Sequence, residues 1–359
     1  MAPNPRKSTR TRRRNVPAIT IHDVAARAGV SVATVSRVLN SKDLVREETT
    51  RQVLDAAKFL RYVPNVAARS LSNRRSQTIG IVLPDVHGEY FSEVIRGIDV
   101  DARKEGYHIL VSGSHSDPRE MLEVIEAMRG RVDGLIVMAP DLPPTALREQ
   151  LAPDIPLVLL NAVDEMHASI TIDNYGGARA MMRHLTTLGH KQIAFIKGPP
   201  HNADARERLR GYRQSMRTLG ASARAIEIDG DFTERTGHAA GLQIVDEKTR
   251  PTAIFAANDS MAVGALSALS ERGIDVPDEM TVVGFDDIPI AHYVTPPLTT
   301  IRVEIAEVGR RSFAVLCGAI RERAHSKRQE CIGTTLVVRK SCGAPHSITR
   351  RGRHKGEDS

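Results

Sequence analysis

The chain has no tryptophan, and six tyrosines and seven phenylalanines bring its aromatics to only 4% of 359 residues. Its core must therefore be packed from small and branched aliphatic side chains. The three cysteines, Cys317, Cys331 and Cys342, come late and in no metal-ligand spacing. That argues against a disulfide framework and against a structural zinc site. No stretch approaches 18 uninterrupted apolar residues, so no membrane span is expected. The N-terminus is basic but lacks the apolar run of a secretory signal, which makes a reducing cytoplasmic setting the default. A glycine-rich dinucleotide loop, a phosphate loop and a Gly-x-Ser-x-Gly elbow are all missing. His22, His87, His184, His190 and His201 form no metal pattern. The sequence thus reads as no enzyme, with no catalytic residue, metal or cofactor expected.

Hydrophobic residues make up 41% of the chain, enough for a packed core, and the length suits about two domains. The charge is unevenly spread. Residues 1–75 hold 16 Lys/Arg against 5 Asp/Glu, a net of +11, whereas residues 76–337 carry a net of −8 and residues 338–359 a net of +4. A positive head on a negative body orients a molecule towards a polyanion, and nucleic acid is the first candidate. Residues 1–18, with six basic side chains and no acid, read as a disordered basic tail, and 344–359 as a second disordered tail.

Between the first tail and residue 63 the pattern is helical. Thr20 followed by Asp23 makes a capping box, with Asp in the place more often held by Glu. Ile21, Val24, Ala25 and Ala28 give the first helix an apolar face, and Gly29 ends it. Ser31 caps a second helix from Val32 to about Leu39. Small Ala25, turn-forming Gly29 and branched Val35 are what two steeply crossed helices need at their contact, so the spacing predicts a helix-turn-helix. A third helix is expected over Glu47 to Leu60, with Val53, Leu54, Ala57 and Leu60 facing the core. The second helix then presents Val32, Ala33, Thr34, Ser36, Arg37 and Asn40 to a major groove, with Thr20 and Ser31 beside it. Arg37 suits guanine acceptors or a phosphate, and Val32 and Ala33 suit thymine methyls. Residues Pro64 to Asn73 read either as a short basic helix, marginal by itself, or as a plain linker.

The rest alternates short apolar runs with helical patterns. Runs fall at 79–83, 109–111, 134–138, 157–160, 170–172, 193–196, 253–256 and 281–284, with a final strand-like run at 334–338, and helices are expected over 91–104, 118–129, 174–188, 206–219, 234–246 and 258–271. That rhythm predicts parallel sheets covered on both faces, in two α/β lobes with a cleft between them. Ligands of such sheets bind beyond the carboxyl ends of the strands. Asp85, Asp173, Asn258, Asp259, Asp286 and Asp287 fall there, with Arg206 just after a strand-end loop. Such groups suit a polyhydroxy ligand, and Phe232 or the pair Tyr90 and Phe91 offers an apolar surface to a sugar ring. Strand-end or cap duty is the plain alternative for each acid, above all for Asp259 and Asp287.

Taken together, the segments Ile19–Asn40, Tyr62–Ser70, Ser76–Pro84, Gly134–Val137, Ile172–Gly177, Arg206–Tyr212, Ala256–Gly264, Val282–Asp287 and Pro296–Ile301 resemble the LacI family of bacterial transcription regulators. The resemblance covers about residues 19–340. It implies a helix-turn-helix domain over 19–63, a hinge helix and linker over 64–75, and a periplasmic-binding-protein-like body over 76–343. Lobe one of that body would take about 76–173 and 304–331, and lobe two about 174–303 and 332–343. It also implies a homodimer or tetramer on double-stranded operator DNA, with Asn65, Ala68, Arg69 and Leu71 in the hinge contact. Leu71 takes the position of a leucine wedged into the minor groove. Arg46 stands where many members carry a capping Ser or Thr.

In the body, Arg206, Asn258 and Asp286 match effector-binding positions of sugar-responsive members, Phe232 a stacking position and Asp173 a pocket position. Tyr90 and Phe91 match an aromatic pair in a purine-responsive member. Asn202 stands where that member has Arg, which weighs against a purine. His87 and Glu89, in an unusual His-Gly-Glu-Tyr run, are candidate contacts for an unusual or anionic sugar, or else solvent-exposed. The expected protein is a transcription repressor whose operator affinity answers to a small effector, a sugar or sugar derivative. An activator of the same architecture stays open, with a solute-binding protein or an enzyme behind it.

Overall fold

The computed structural model describes residues 19–40, 45–62, 75–141, 155–220, 223–322 and 327–345. The chain divides into two compact units after Ser76. The first contains α1 (Ile21–Ala28), α2 (Val32–Asn40) and α3 (Glu47–Phe59). Thr20 opens α1, its backbone N and Oγ1 both donating to Asp23 Oδ2 at 2.7 and 2.8 Å. Gly29 closes it in a left-handed conformation at φ 64°, where a Cβ would be strained. Ser31 Oγ accepts from Thr34 N at 3.1 Å and so caps α2. Arg46 gives α3 no side-chain cap, and Glu47 and Glu48 in its first turn complement the helix dipole instead.

Val24, Ala25, Val35, Val38, Val53, Ala56 and Ala57 form the core of this unit. Leu54, expected there, is 41% exposed. Positions 53, 56, 57 and 60 keep the three-and-four spacing of one helix face, and position 54 breaks it, so Ala56 is buried in its stead.

The second unit begins with β1 (Thr78–Leu83), α4 (Glu89–Lys104), β2 (His108–Gly113), α5 (Pro118–Met128), β3 (Gly134–Met138), β4 (Leu157–Leu160) and β5 (Ala168–Ile172). It continues with α6 (Asn174–Thr187), β6 (Gln192–Ile196), α7 (Ala203–Leu219), β7 (Arg224–Ile228), α8 (Glu234–Val245), β8 (Ala253–Ala256) and α9 (Asp259–Glu271). It ends with β9 (Thr281–Asp286), β10 (Thr299–Arg302), α10 (Ile305–Glu322), β11 (Gln329–Ile332) and β12 (Thr335–Val337).

Two six-stranded sheets result, in the orders β11-β5-β4-β3-β1-β2 and β12-β10-β9-β8-β6-β7. The first is parallel throughout, and in the second only β12 runs antiparallel to its neighbour. Central strands such as Gly134–Met138 and Ala253–Ala256 are buried at every position, as parallel strands covered on both faces must be. The chain passes between the lobes three times, after β5, after β10 and after β11. On its return, α10 lies so close to α4 that a Cβ on Gly97 would sit 2.0 Å from the Ala306 carbonyl oxygen.

The runs and patterns read from the sequence coincide with most of these elements, but β7, β10, β11 and α10 were not among them. Strands β7 and β11 are sheet edges, half-covered and broken by Arg224, Glu227, Gln329 and Glu330, so they make no apolar run. Strand β10 is Thr-Thr-Ile-Arg, its two threonines wholly buried.

Candidate functional site

The carboxyl ends of the two sheets face each other across a cavity of about 420 Å³. From lobe one come Glu89, Tyr90 and Phe91 at the start of α4, Met138 ending β3, and Asn161 just past β4. From lobe two come Asn202, Asp204 and Arg208 at the start of α7, Phe232 before α8, Asn258 before α9, and Asp286 ending β9.

Arg208 organises the floor. Its residue is 3% exposed, and all three of its nitrogens are engaged. Nε donates to Asn174 Oδ1 at 2.8 Å, Nη1 to the Ala257 carbonyl at 2.6 Å and Nη2 to Asp286 Oδ1 at 2.9 Å. The guanidinium also lies 3.9 Å over the Phe285 ring. Burial pushes the Asp286 carboxyl up, and the Arg208 charge pulls it back down. Asn174 Nδ2 carries the chain of bonds on to Asp204 Oδ1 at 2.7 Å, and Asn161 Nδ2 reaches Asp204 Oδ2 at 2.7 Å from the other lobe. Burial raises the Asp204 carboxyl to about 6, against the pull of Arg208 and with a further push from Asp286. Burial, then the charges of Asp204 and Asp286, raise the Tyr90 hydroxyl, which keeps it neutral and able to donate.

Two more bonds span the lobes: Ala203 N to the Pro140 carbonyl, and Ile290 N to Glu89 Oε2, both at 2.8 Å. Glu89 is thus a lobe-to-lobe contact as well as a cavity residue, while His87 is exposed at the rim.

Of the expected effector residues, the structure brings Tyr90, Phe91, Phe232, Asn258 and Asp286 together around the cavity. Tyr90 and Phe91 meet edge to face at 5.7 Å. Asn258 accepts from Met261 N at 3.0 Å, capping α9, and donates to the Phe232 carbonyl at 3.0 Å.

Two expectations need correction. Asp173 is exposed and caps α6, accepting from Gly176 N at 2.8 Å; its neighbour Asn174 is the one that turns inward. Arg206 is exposed and donates to the His201 carbonyl at 2.6 Å. The inward arginine is Arg208, and a signal for it was present. Ala205, Leu209, Tyr212 and Met216 mark the apolar face of α7, and position 208 falls on that face while 206 does not. Asp204 and Asn161 carried no comparable signal. Asn202 spends its Oδ1 capping α7, on Ala205 N at 3.0 Å.

The acids expected to serve structure do so. Asp259 is buried and accepts from Thr300 Oγ1 at 2.6 Å and Ile288 N at 3.0 Å, tying α9 to the strand ends beside it. Asp287 pairs with Arg302 and Arg339 at 2.7 and 2.6 Å. Among the described residues, no group of three His, Cys, Asp or Glu side chains is placed to hold a metal, and no helix is long and apolar enough to cross a membrane.

In the three-helix unit, Thr20, Ser31, Ala33 and Arg37 are exposed, and Thr34 and Ser36 are half-buried. Ala33 and Arg37, four residues apart, share one face of α2. Val32 is half-buried because part of its side chain completes the core. The side chain of Asn40 and the residues Asn65, Ala68, Arg69 and Leu71 lie outside the described residues, as do 1–18 and 346–359.

A helix-turn-helix with a basic balance, joined in one chain to a two-lobed α/β body around a polar cleft, defines a DNA-binding regulator with an effector-binding body. Similarity to known proteins says which kind. Residues 20–65 match the model of the bacterial regulatory proteins of the lacI family, and residues 182–342 that of the periplasmic binding protein-like domain. The HTH-type transcriptional repressor PurR of Vibrio cholerae is 36% identical over 317 residues, 86% of this chain and 94% of that protein. The HTH-type transcriptional repressor CytR of Escherichia coli is 34% identical over 331 residues, 91% and 97% of the two chains. The Lac repressor dimer bound to operator and the anti-inducer ONPF superposes with a TM-score of 0.83 at 32% identity, over 91% of this chain and all of that one. A CelR–cellobiose complex does so with a TM-score of 0.65 at 30% identity, over 90% and 99%. The chain belongs to the LacI family: it is a DNA-binding transcriptional repressor and not an enzyme.

Proposed function

We propose that the protein binds operator DNA as a homodimer in the cytoplasm, and that a carbohydrate or sugar derivative held in the cleft controls its operator affinity. The observation that carries this is the cavity between the lobes. It is walled by amide, carboxyl and hydroxyl groups that each pair with a hydroxyl, and by the aromatic faces of Tyr90, Phe91 and Phe232. The sugar in the related CelR–cellobiose complex supports the same class of ligand.

In this reading residues 19–63 form the DNA head, 64–75 the hinge, and 76–343 the two-lobed body. Thr20, Ser31, Val32, Ala33, Thr34, Ser36, Arg37 and Asn40 face the major groove, and Asn65, Ala68, Arg69 and Leu71 make the hinge contact. The effector acts by preferring one arrangement of the lobes, and operator affinity changes by that difference in binding free energy and no more.

The test is an electrophoretic shift with DNA from upstream of the protein's own gene, with and without each member of a sugar panel. The reading requires a salt-sensitive shift by a dimer, altered by a sugar that also raises the Tm of the body. A folded dimer that shifts no DNA at low salt refutes it.

A further inference from the structure

Seven carboxyl side chains line the cleft, among them Asp85, Glu89, Asp204 and Asp286, and Arg208 is the single Lys or Arg among the described lining residues. Three of that arginine's five N–H groups are committed to Asn174, Ala257 and Asp286, and its charge is already paired with the Asp286 carboxylate. A phosphorylated or carboxylated sugar would enter a wall of its own sign, where low dielectric strengthens repulsion.

Asp204 stands differently from Asp286. Its two oxygens accept only from neutral amides, Asn161 Nδ2 and Asn174 Nδ2. Burial lifts its carboxyl to about 6, and the nearby Arg208 charge, which is bonded to Asp286 and not to Asp204, offsets that only in part. Beside it, Asn161 is 4% exposed and its Oδ1 is buried without a hydrogen-bond partner. A carboxylate accepts and cannot donate, so Asn161 must give Asp204 its Nδ2, and this turns Oδ1 away from the acid. The cleft therefore holds a carboxylate with no direct cationic partner and an unused acceptor side by side, next to the Tyr90 hydroxyl.

We propose that the cleft takes a sugar bearing a protonated amine, with Asp204 as counter-charge and Asn161 Oδ1 as second acceptor; this rests on the reading above that a sugar derivative occupies the cleft. An ammonium supplies donors to both groups and the directly bonded cation that Asp204 lacks. A plain hydroxyl or an N-acetyl group satisfies the Asn161 oxygen but gives the carboxylate no cation of its own.

The test is titration calorimetry and thermal shift on the full-length dimer with matched sets of hexoses: glucosamine, galactosamine and mannosamine, the corresponding neutral hexoses, their N-acetyl forms and the uronic acids. The expected result is an amine that binds at least about tenfold more tightly than both its neutral and its N-acetylated counterpart. Asp204→Asn should bring that ratio close to one, and Asp204→Ser serves the same comparison if the first variant fails to fold. A neutral or acidic sugar that binds more tightly than every amine overturns the amine and leaves the sugar-controlled repressor standing. A ratio unchanged in the Asp204 variants overturns the assignment of the counter-charge. No response of Tm or operator binding to any member of the panel overturns both proposals.

Discussion

Replacing Arg208 with methionine removes a buried guanidinium while keeping most of the side chain's bulk. The loss is one ion pair and two further hydrogen bonds, to Asn174 Oδ1 and to the Ala257 carbonyl. Asp286, 5% exposed, is left without its counter-charge. Removing one partner of a buried pair costs about 3–5 kcal/mol, because the remaining charge has neither water nor a partner. For a body of this size roughly 2–4 °C of Tm go with each kcal/mol, so the Tm should fall by about 6–20 °C. Scanning calorimetry of the full-length chain reads this directly.

The pH dependence separates a lost charge pair from a mere packing defect. In the native protein burial raises the Asp286 carboxyl and Arg208 opposes the rise. Without Arg208 only the upward push remains, and the folded value moves further above the unfolded one. Such a group contributes stability that is present below its unfolded pKa and lost as the pH rises through its folded pKa. The variant's deficit should thus be clearly larger at about pH 8 than at about pH 5, and adding Asp286→Asn should restore a substantial part of it. A deficit that ignores pH, or a double variant no more stable than the single one, would refute the account of Arg208 as a charge partner.

Arg37→Ala should change operator preference at one base pair, by about 1–3 kcal/mol of discrimination, in competition binding across operator variants; an equal loss on all sequences would move Arg37 to a phosphate. Leu71→Ala should weaken specific binding more than non-specific binding, and equal losses would count against a wedge in the minor groove. Gly97→Ala drives a Cβ onto a backbone oxygen 2.0 Å away and should cost about 1–3 kcal/mol in urea unfolding, whereas an unchanged midpoint would mean that α4 and α10 do not pack so closely. Asp204 faces Asn161, Tyr90, Asn174, Arg208 and Asp286, and its folded carboxyl lies above the unfolded value, at about 6. The native body should therefore lose stability, relative to Asp204→Asn, as the pH rises through that value; parallel stability profiles would show that Asp204 is not buried as a charge.

The helix-turn-helix was legible because its geometry demands particular residues at fixed distances: a cap at Thr20, a left-handed Gly29, a second cap at Ser31 and a branched Val35 in the core. The parallel sheets were legible at their centres, where burial on both faces leaves uninterrupted apolar runs, and faded at the edges, where β7 and β11 face water on one side. The cleft was half legible. Residues that end strands or open helices, such as Asn258 and Asp286, are placed by the topology itself, so strand-end position was enough to find them.

Arg208 and Asp204 depend on something finer, the rotation of α7 about its axis. Arg206 and Arg208 are two residues apart, about 200° around the helix, so a helical wheel sends one to water and the other to the floor of the cleft. Charge alone points to neither. The deciding information lies in Ala205, Leu209, Tyr212 and Met216, apolar neighbours that fix which stripe of the helix meets the sheet. Asp204 is the harder case, because it stands in the first turn of α7, where an acid is the commonplace partner of the helix dipole. Only Asn161, forty-three positions earlier and in the other lobe, turns that ordinary residue into a charge held across the cleft. A contact between lobes has no periodicity in the sequence to announce it. For that reason the group that bears most on what the cleft will accept is the one the sequence did not reveal.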